Sequence, residues 1–438
     1  MAETLLIFSA AIFFIGLIIA VRKKTHGFLS LMFFTYHLNY FAIPGIFHVK
    51  SNAFPFYGTA YSRDLQLEGA IIVFLFAIFS FIGMIAVDLS KNKTPISATA
   101  DHFPRFHANE IRLYAAFAVS FIYLVYVINV IGIDNLVVRR LDFDRSAFGE
   151  QATIRELYLL SSRSVSFTCL LFSLLFWRTF SLRIVAIGIS SISLSLFFII
   201  NFPPALPRFV LASYLIVVIC LLFRANTRNK FFFYGLFGLG VTTLFPYFSY
   251  LGRGEGEFSI DMFTYYRESG DFDGFQSVLN ILQYVKDHGY HYGYQLLGAL
   301  MAWVPRALWS TKPEPTGSIG AMNSGYEFLN ISSPISAELY IDFGYIGVTF
   351  IAVFVGYYIR KIDRKVHNGW NTSSMTLNRK LAIAIFSSFF MILLRGPLIG
   401  AANVLYVEIF IALLMATFVR GRIEQNTPIS KTDKTRFR

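Results

Sequence analysis

The sequence predicts an all-α protein that threads a membrane many times, and three observations carry that prediction. Only 15% of the 438 residues are charged while 55% are apolar, against about 25% charged in an ordinary soluble domain. Runs close to the ~20 apolar residues that a spanning helix needs recur along the chain. Lys and Arg gather in alternate connections between those runs, as they do in cytoplasmic loops, so the net charge of +12 has a membrane reading. No RNA-binding signature accompanies it, and nucleic acid is excluded as a partner.

Segments 4–21, 28–48, 68–88, 112–132, 164–178, 184–200, 208–223, 231–250, 338–359, 380–394 and 398–419 meet the length or nearly so. They give eleven expected spans in one polytopic domain, 1–438. The first opens with Glu3 before its apolar run and closes on Arg22, Lys23 and Lys24. A cleavable signal peptide has the opposite charge order, so this reads as a retained membrane helix. Cys169 and Cys220 both fall inside apolar segments, which indicates neither a disulfide framework nor a zinc site.

Charge sets the expected orientation. With the N-terminus outside, the stretches 22–27, 89–112, 178–183, 224–230, 360–380 and the polar tail 420–438 face the cytoplasm. They hold most of the chain's 38 Lys and Arg, as the positive-inside rule requires. A medium loop, 132–163, and a large loop, 251–337, then lie on the far side, away from ATP and nucleotide sugars.

The medium loop, GIDNLVVRRLDFDRSAFGEQATIRELYLLSSR, carries Arg139, Arg140, Arg145, Arg155 and Arg163 against the local charge expectation. Asp142 and Asp144 alternate with them, so local ion pairs account for the pattern as readily as a binding role does. Exposed pairs contribute only about 0–1 kcal/mol each. The spacing of Ile154, Leu157 and Tyr158 predicts a helix running directly into the next span.

The large loop is too long for a plain connection. Arg253 sits in a glycine-rich stretch, LGRGEGEFSID, that is not a phosphate-binding motif. Phe272, Phe275, Leu279, Leu282 and Val285 give one apolar helical face, to lie along the membrane or pack over the bundle. YGYQLLGALMAWVPRALW then suits a re-entrant or interfacial piece, with about 13 apolar residues before Pro305. Pro305 ends or kinks that helix and leaves Arg306 near its terminus. Pro313 and Pro315 stiffen the chain beyond Lys312.

Within VPRALWSTKPEPTG, Arg306 and Lys312 pair a planar donor fork with a compact point charge, a combination suited to a pyrophosphate. The alternative is anchoring to anionic headgroups. His288 and His291, in KDHGYHYGYQ, offer a general base or ordinary polar surface; His291 adjoins the apolar piece and is favoured. The spacing of His288 and His291 is not that of a metal motif and HExxH is absent, so no metal is expected, nor any other cofactor. Glu338 begins a span, where a carboxylate is functional or paired. Arg395, at the end of another span, is its expected partner in a structural pair, and Asp342 shares Glu338's helix face.

The combined pattern resembles the bacterial O-antigen polymerases, the Wzy-type oligosaccharide repeat-unit polymerases. PRALWSTKP followed by SAELYIDFGYIG is similar to the signature around their large periplasmic loop. Members carry two arginine-rich loops, often with an arginine, ten residues and a glycine; Arg306 to Gly317 fits, and Arg139 to Gly149 departs with nine between. The resemblance implies a GT-C-type membrane glycosyltransferase at the periplasmic face of the inner membrane. It would transfer the growing glycan from undecaprenyl pyrophosphate onto the non-reducing end of a second lipid-linked repeat unit, alongside a membrane protein that regulates chain length. On that reading Arg306 and Lys312 stabilise the departing pyrophosphate, with Arg253 and Arg395. His291 or Glu338 activates the acceptor. Arg139, Arg140 and Arg145 hold glycan or phosphate, and His288 is a further substrate-binding residue. The alternatives are a ligase that hands the glycan to a lipid A core, and a transporter or flippase of lipid-linked sugars.

Overall fold

Among the described residues of the computed structural model every regular element is helical, apart from one bridge pairing Ala108 with Arg420. These residues are 1–23, 25–57, 60–90, 108–138, 152–222, 227–239, 262–369 and 376–420. Arg139, Arg140, Arg145 and Arg253 lie outside them.

Among the described residues, eight helices are long and apolar enough to cross a membrane: Ala2–Arg22, Arg63–Leu89, Glu110–Ile131, Ile154–Leu175, Arg183–Ala205, Ile335–His367, Leu377–Arg395 and Leu398–Val419. Three further expected spans take other forms. The 28–48 segment is Phe28–Tyr36, a π-helical turn His37–Ala42, and Ile43–Ser51 in succession. Every residue of Phe28–Tyr36 is buried, which places this helix inside the bundle, since a helix apolar all round belongs in a core. The 208–223 segment is a 15-residue helix, Arg208–Leu222. Of 231–250, the described part belongs to Thr227–Leu239.

Close helix packing explains several glycines. Helix Arg63–Leu89 lies along helix Ile335–Gly369, where a Cβ on Gly83 would collide with the Val353 carbonyl and one on Gly356 with that of Ser80. Small residues permit such backbone approach between membrane helices. Gly344 interrupts Ile335–Gly369 with φ +61°, so Glu338 and Asp342 sit on a short first segment rather than in an unbroken span.

The bundle has two unlike ends. At one, Asp88 receives Arg360 at 2.6 Å, and Asp363 accepts from the Ser30 backbone and hydroxyl at 3.0 and 2.6 Å. The buried Lys230 ammonium donates to the Ala20, Lys23 and His26 carbonyls there. At the other, the loop end, the large loop packs onto the helices. Its helix Gly274–His288 is buried continuously from Gly274 to Leu282, so it inserts into the bundle instead of lying on the membrane. Helix Ala152–Leu175 includes Ile154–Tyr158, as their spacing predicts.

Candidate functional site

The loop end is built from stretches that are distant in sequence. In the first, helix Tyr294–Leu300 stops after seven residues, well short of Pro305, and the chain turns back on itself. The expectation of a longer apolar helix ending at the proline is corrected by that reversal. Lys312 Nζ donates to the carbonyls of Ala302 and Val304 at 2.7 and 2.9 Å, so the turn is closed from within. Tyr294 donates its hydroxyl hydrogen to the Thr311 carbonyl.

Arg306 is likewise engaged by its own elbow. It donates to the Lys312 carbonyl at 2.7 Å and the Pro313 carbonyl at 3.2 Å, and pairs with Glu314 at 2.9 Å. Guanidinium offers five N–H donors and ammonium three. These contacts leave two donors on Arg306 and one on Lys312 for a ligand. Burial, and after it the Arg306 charge, hold the Lys312 ammonium below the ordinary lysine range. Glu314, two residues beyond Lys312, escaped the sequence reading although it lies within the quoted motif.

The elbow packs on the turn that joins the last two long helices. Pro313 lies against Gly298 beside Ile399, and Gly317 against Pro397 and the Ile331 carbonyl. Glu338, 2% exposed, holds this junction: it accepts from Thr316 Oγ1 at 2.6 Å and from the Leu398 N–H at 3.1 Å. The latter is an orphan donor at a helix start, so the carboxylate satisfies groups that would otherwise be buried without partners. Asp342, one turn later, accepts from the Gln295 and Leu296 N–H groups at 3.0 and 2.8 Å. It caps helix Tyr294–Leu300.

The expected Glu338–Arg395 pair does not form. Arg395 instead faces Asp273 at 3.5 Å, donates to the Gly270 carbonyl at 3.0 Å, and stacks on Phe209 at 4.7 Å. Asp273 also accepts from the Ser332 N–H at 2.9 Å. Burial pushes this carboxyl above its usual range, against the pull of Arg395 and Ser332. Next to it Asp271 receives Arg208 at 2.9 Å and the Tyr265 hydroxyl at 2.9 Å. Glu338 and Arg395 therefore hold the same turn from two sides. The sequence reading missed Arg208, Asp271 and Asp273; the signal was GDFDG, an acidic doublet at the head of an apolar helical run.

His291 lies half-buried beside helix Tyr294–Leu300. Its Nδ1 faces the Gln295 amide nitrogen at 3.1 Å and its Nε2 the Tyr284 hydroxyl at 2.9 Å. With the amide donating, Nδ1 accepts and Nε2–H donates to the tyrosine oxygen. Burial holds the imidazole below its ordinary pKa, Asp342 opposing and His288 assisting. Neither nitrogen is free, so proton uptake requires the Gln295 amide to turn its oxygen towards Nδ1. His288 is exposed; its ring stacks on Tyr284 with centroids 4.6 Å apart.

Thus Arg306, Lys312, His291, Glu338 and Arg395 come together at one end of the bundle; Arg306, exposed, and Lys312, half-buried, keep cationic donors beyond those their own elbow uses. Among the described residues no three His, Cys, Asp or Glu side chains converge as a metal site. Compared with protein-family models, with curated proteins and with solved structures, the chain matches none.

Proposed function

We propose that this chain is a membrane glycosyltransferase of the O-antigen polymerase class, extending a glycan on undecaprenyl pyrophosphate by transfer onto a second lipid-linked repeat unit. It would work in the bacterial inner membrane with its loop end on the periplasmic face, N-terminus outside and C-terminus inside, as the charge distribution favours. One observation carries the reading. The stretches PRALWSTKP and SAELYIDFGYIG, on which the resemblance rests, fold against one junction held by Glu338 and beside the turn that follows Arg395.

In the reaction an acceptor hydroxyl attacks the anomeric carbon, the bond to pyrophosphate breaks, and negative charge grows on the leaving group. The remaining donors of Arg306 and Lys312 meet that charge from a mount already fixed by its own hydrogen bonds. Removing one preorganised contact of this kind costs on the order of 3 kcal/mol of barrier. His291 takes the acceptor proton once Gln295 turns; Glu338, committed to Thr316 and Leu398, positions the junction. The test is conversion of lipid-linked single units into longer chains by the purified protein. Arg306→Ala abolishes extension while the protein still inserts and accumulates; unaltered ladder length in that variant refutes the assignment. In cells, loss of a polymerase leaves lipopolysaccharide capped with one repeat, whereas loss of a ligase leaves bare core.

One feature favours the transporter reading. Glu408 is fully buried in helix Leu398–Val419, bound by the Tyr214 hydroxyl at 2.9 Å. Ten residues from the helix start place it about 15 Å deep, near the middle of a ~30 Å hydrocarbon core. Ionisable groups at that depth mark transport pathways, and the sequence reading did not single this one out. If the purified protein extends no chains but moves lipid-linked sugar across vesicles, and Glu408→Gln stops that movement, the transporter reading replaces the enzyme.

A further inference from the structure

The segment between helix Gly274–His288 and helix Tyr294–Leu300 is shaped by three departures from ordinary backbone. Gly289 and Gly293 have φ of +85° and +91°, and between them Tyr292 adopts φ +52°. Glycine enters that region freely, but for a bulky side chain it is an outlier that costs on the order of 1–3 kcal/mol. The strain serves no packing, because Tyr292 is 83% exposed and meets Tyr290 only edge-on at 6.5 Å. A strained backbone that presents a large aromatic ring to the outside suits a ligand contact.

The ring borders an open depression of about 520 Å3 lined by His291, Tyr292, Gly293, Tyr294 and Leu297. That volume lies within the ordinary range of small-molecule sites. Its lining holds no Asp, Glu, Lys or Arg, and the nearby Asp342 is committed to the Gln295 and Leu296 N–H groups. A diphosphate therefore has no cation here. Behind His291, the Gln295 amide oxygen is buried and without a partner, although buried polar atoms are ordinarily bonded. An aromatic face with tyrosine hydroxyls and no charged group suits an uncharged, amphipathic ring: apolar C–H faces for stacking and hydroxyls for hydrogen bonds.

We infer that the Tyr292 depression is a sugar subsite, in which a neutral pyranose of the lipid-linked glycan stacks on Tyr292 within the space bordered by His291, Tyr294 and Leu297. This rests on reading the chain as a glycosyltransferase and adds where the sugar next to the reacting bond is held. Just beyond, Leu297, Leu300, Trp303 and Leu308 are exposed and provide an apolar surface for the carrier lipid.

The test uses the full chain in nanodiscs, with methyl glucoside, methyl galactoside and methyl N-acetylglucosaminide as probes, read by saturation-transfer NMR. Transfer to the ring protons is expected from the unaltered protein, retained in Tyr292→Phe and lost in Tyr292→Gly. Glycine relieves the local strain, so that variant is expected to unfold at no lower temperature. Absence of transfer from the unaltered protein, or undiminished transfer in Tyr292→Gly, overturns the subsite. Cys169 and Cys220 are buried, so Tyr292→Cys accepts a fluorophore selectively. Quenching by aqueous iodide is expected, and quenching by lipid-borne nitroxide alone would make the tyrosine a membrane anchor and overturn the proposal. Sugar contact without chain extension refutes the enzyme and leaves the subsite; extension unchanged in Tyr292→Gly refutes the subsite and leaves the enzyme.

Discussion

Arg306 and Lys312 are near neighbours in sequence and direct half of their donors to carbonyls of their own elbow. Arg208 and Arg395 come from different helices and meet the carboxylates of a third segment, Asp271 and Asp273. The first pair shapes a local turn and retains spare donors outside; the second fastens the large loop to the bundle. Cations of equal formal charge thus differ in what their loss should do. Removing an elbow cation should impair chemistry with little effect on folding, and removing part of the inter-helix set should impair folding itself.

The largest effect is expected at Asp273. Its loss leaves Arg395 without its carboxylate and Ser332 without its acceptor, and breaking a buried pair costs about 3–5 kcal/mol. Asp273→Ala should therefore lower the unfolding temperature in detergent sharply, with Asp273→Asn milder because it keeps an acceptor for Ser332. Equal Tm values for Asp273→Ala and the unaltered protein would remove the distinction between the two cation sets.

Glu338→Ala comes next. The Thr316 hydroxyl and the Leu398 N–H each lose a buried acceptor, at about 1–3 kcal/mol apiece. Thermal unfolding should show that loss, and proteolysis should open the 395–399 turn first. Should Glu338→Gln retain full stability yet lose all chain extension, the carboxylate has a chemical role beyond holding the junction.

Arg306→Ala should change stability by no more than about 1 kcal/mol, since half-exposed pairs contribute little, while abolishing extension. Arg306→Lys keeps the charge but loses the fork, and separates the two contributions. A Tm loss matching that of Asp273→Ala would merge the cation sets into one structural class.

The smallest effect is a pH dependence. Because burial lowers the folded pKa of His291, the unfolded chain binds the proton more readily. The stability this gives is present above the unfolded value of about 6.5 and is lost as pH falls through the folded one. His291→Gln should flatten the acid side of the Tm profile and leave it unchanged above neutrality; identical profiles would refute the linkage.

Much of the fold was legible because lipid imposes a one-dimensional rule: apolar length makes a helix wherever water is excluded. The runs around 68–88, 112–132 and 398–419 are helices for that reason. Around 28–48 the rule gives a helix but not its surroundings: Phe28–Tyr36 is buried in protein, and core and lipid are alike in apolarity. It also could not foresee Gly344, whose φ of +61° arises where Tyr290 packs against the backbone.

The candidate site was legible residue by residue but not in its pairings. Composition and local spacing determined that the chain is helical and membrane-embedded, and that cations interrupt it at 306, 312 and 395. Only the tertiary structure decided that Arg395 takes Asp273 rather than Glu338, that Lys312 closes its own turn, and that Tyr292 stands strained above His291. The physical reason is range. Hydrophobic transfer acts on each segment independently of its neighbours, whereas a hydrogen bond or ion pair exists only within a few ångströms and so depends on how every intervening helix has packed.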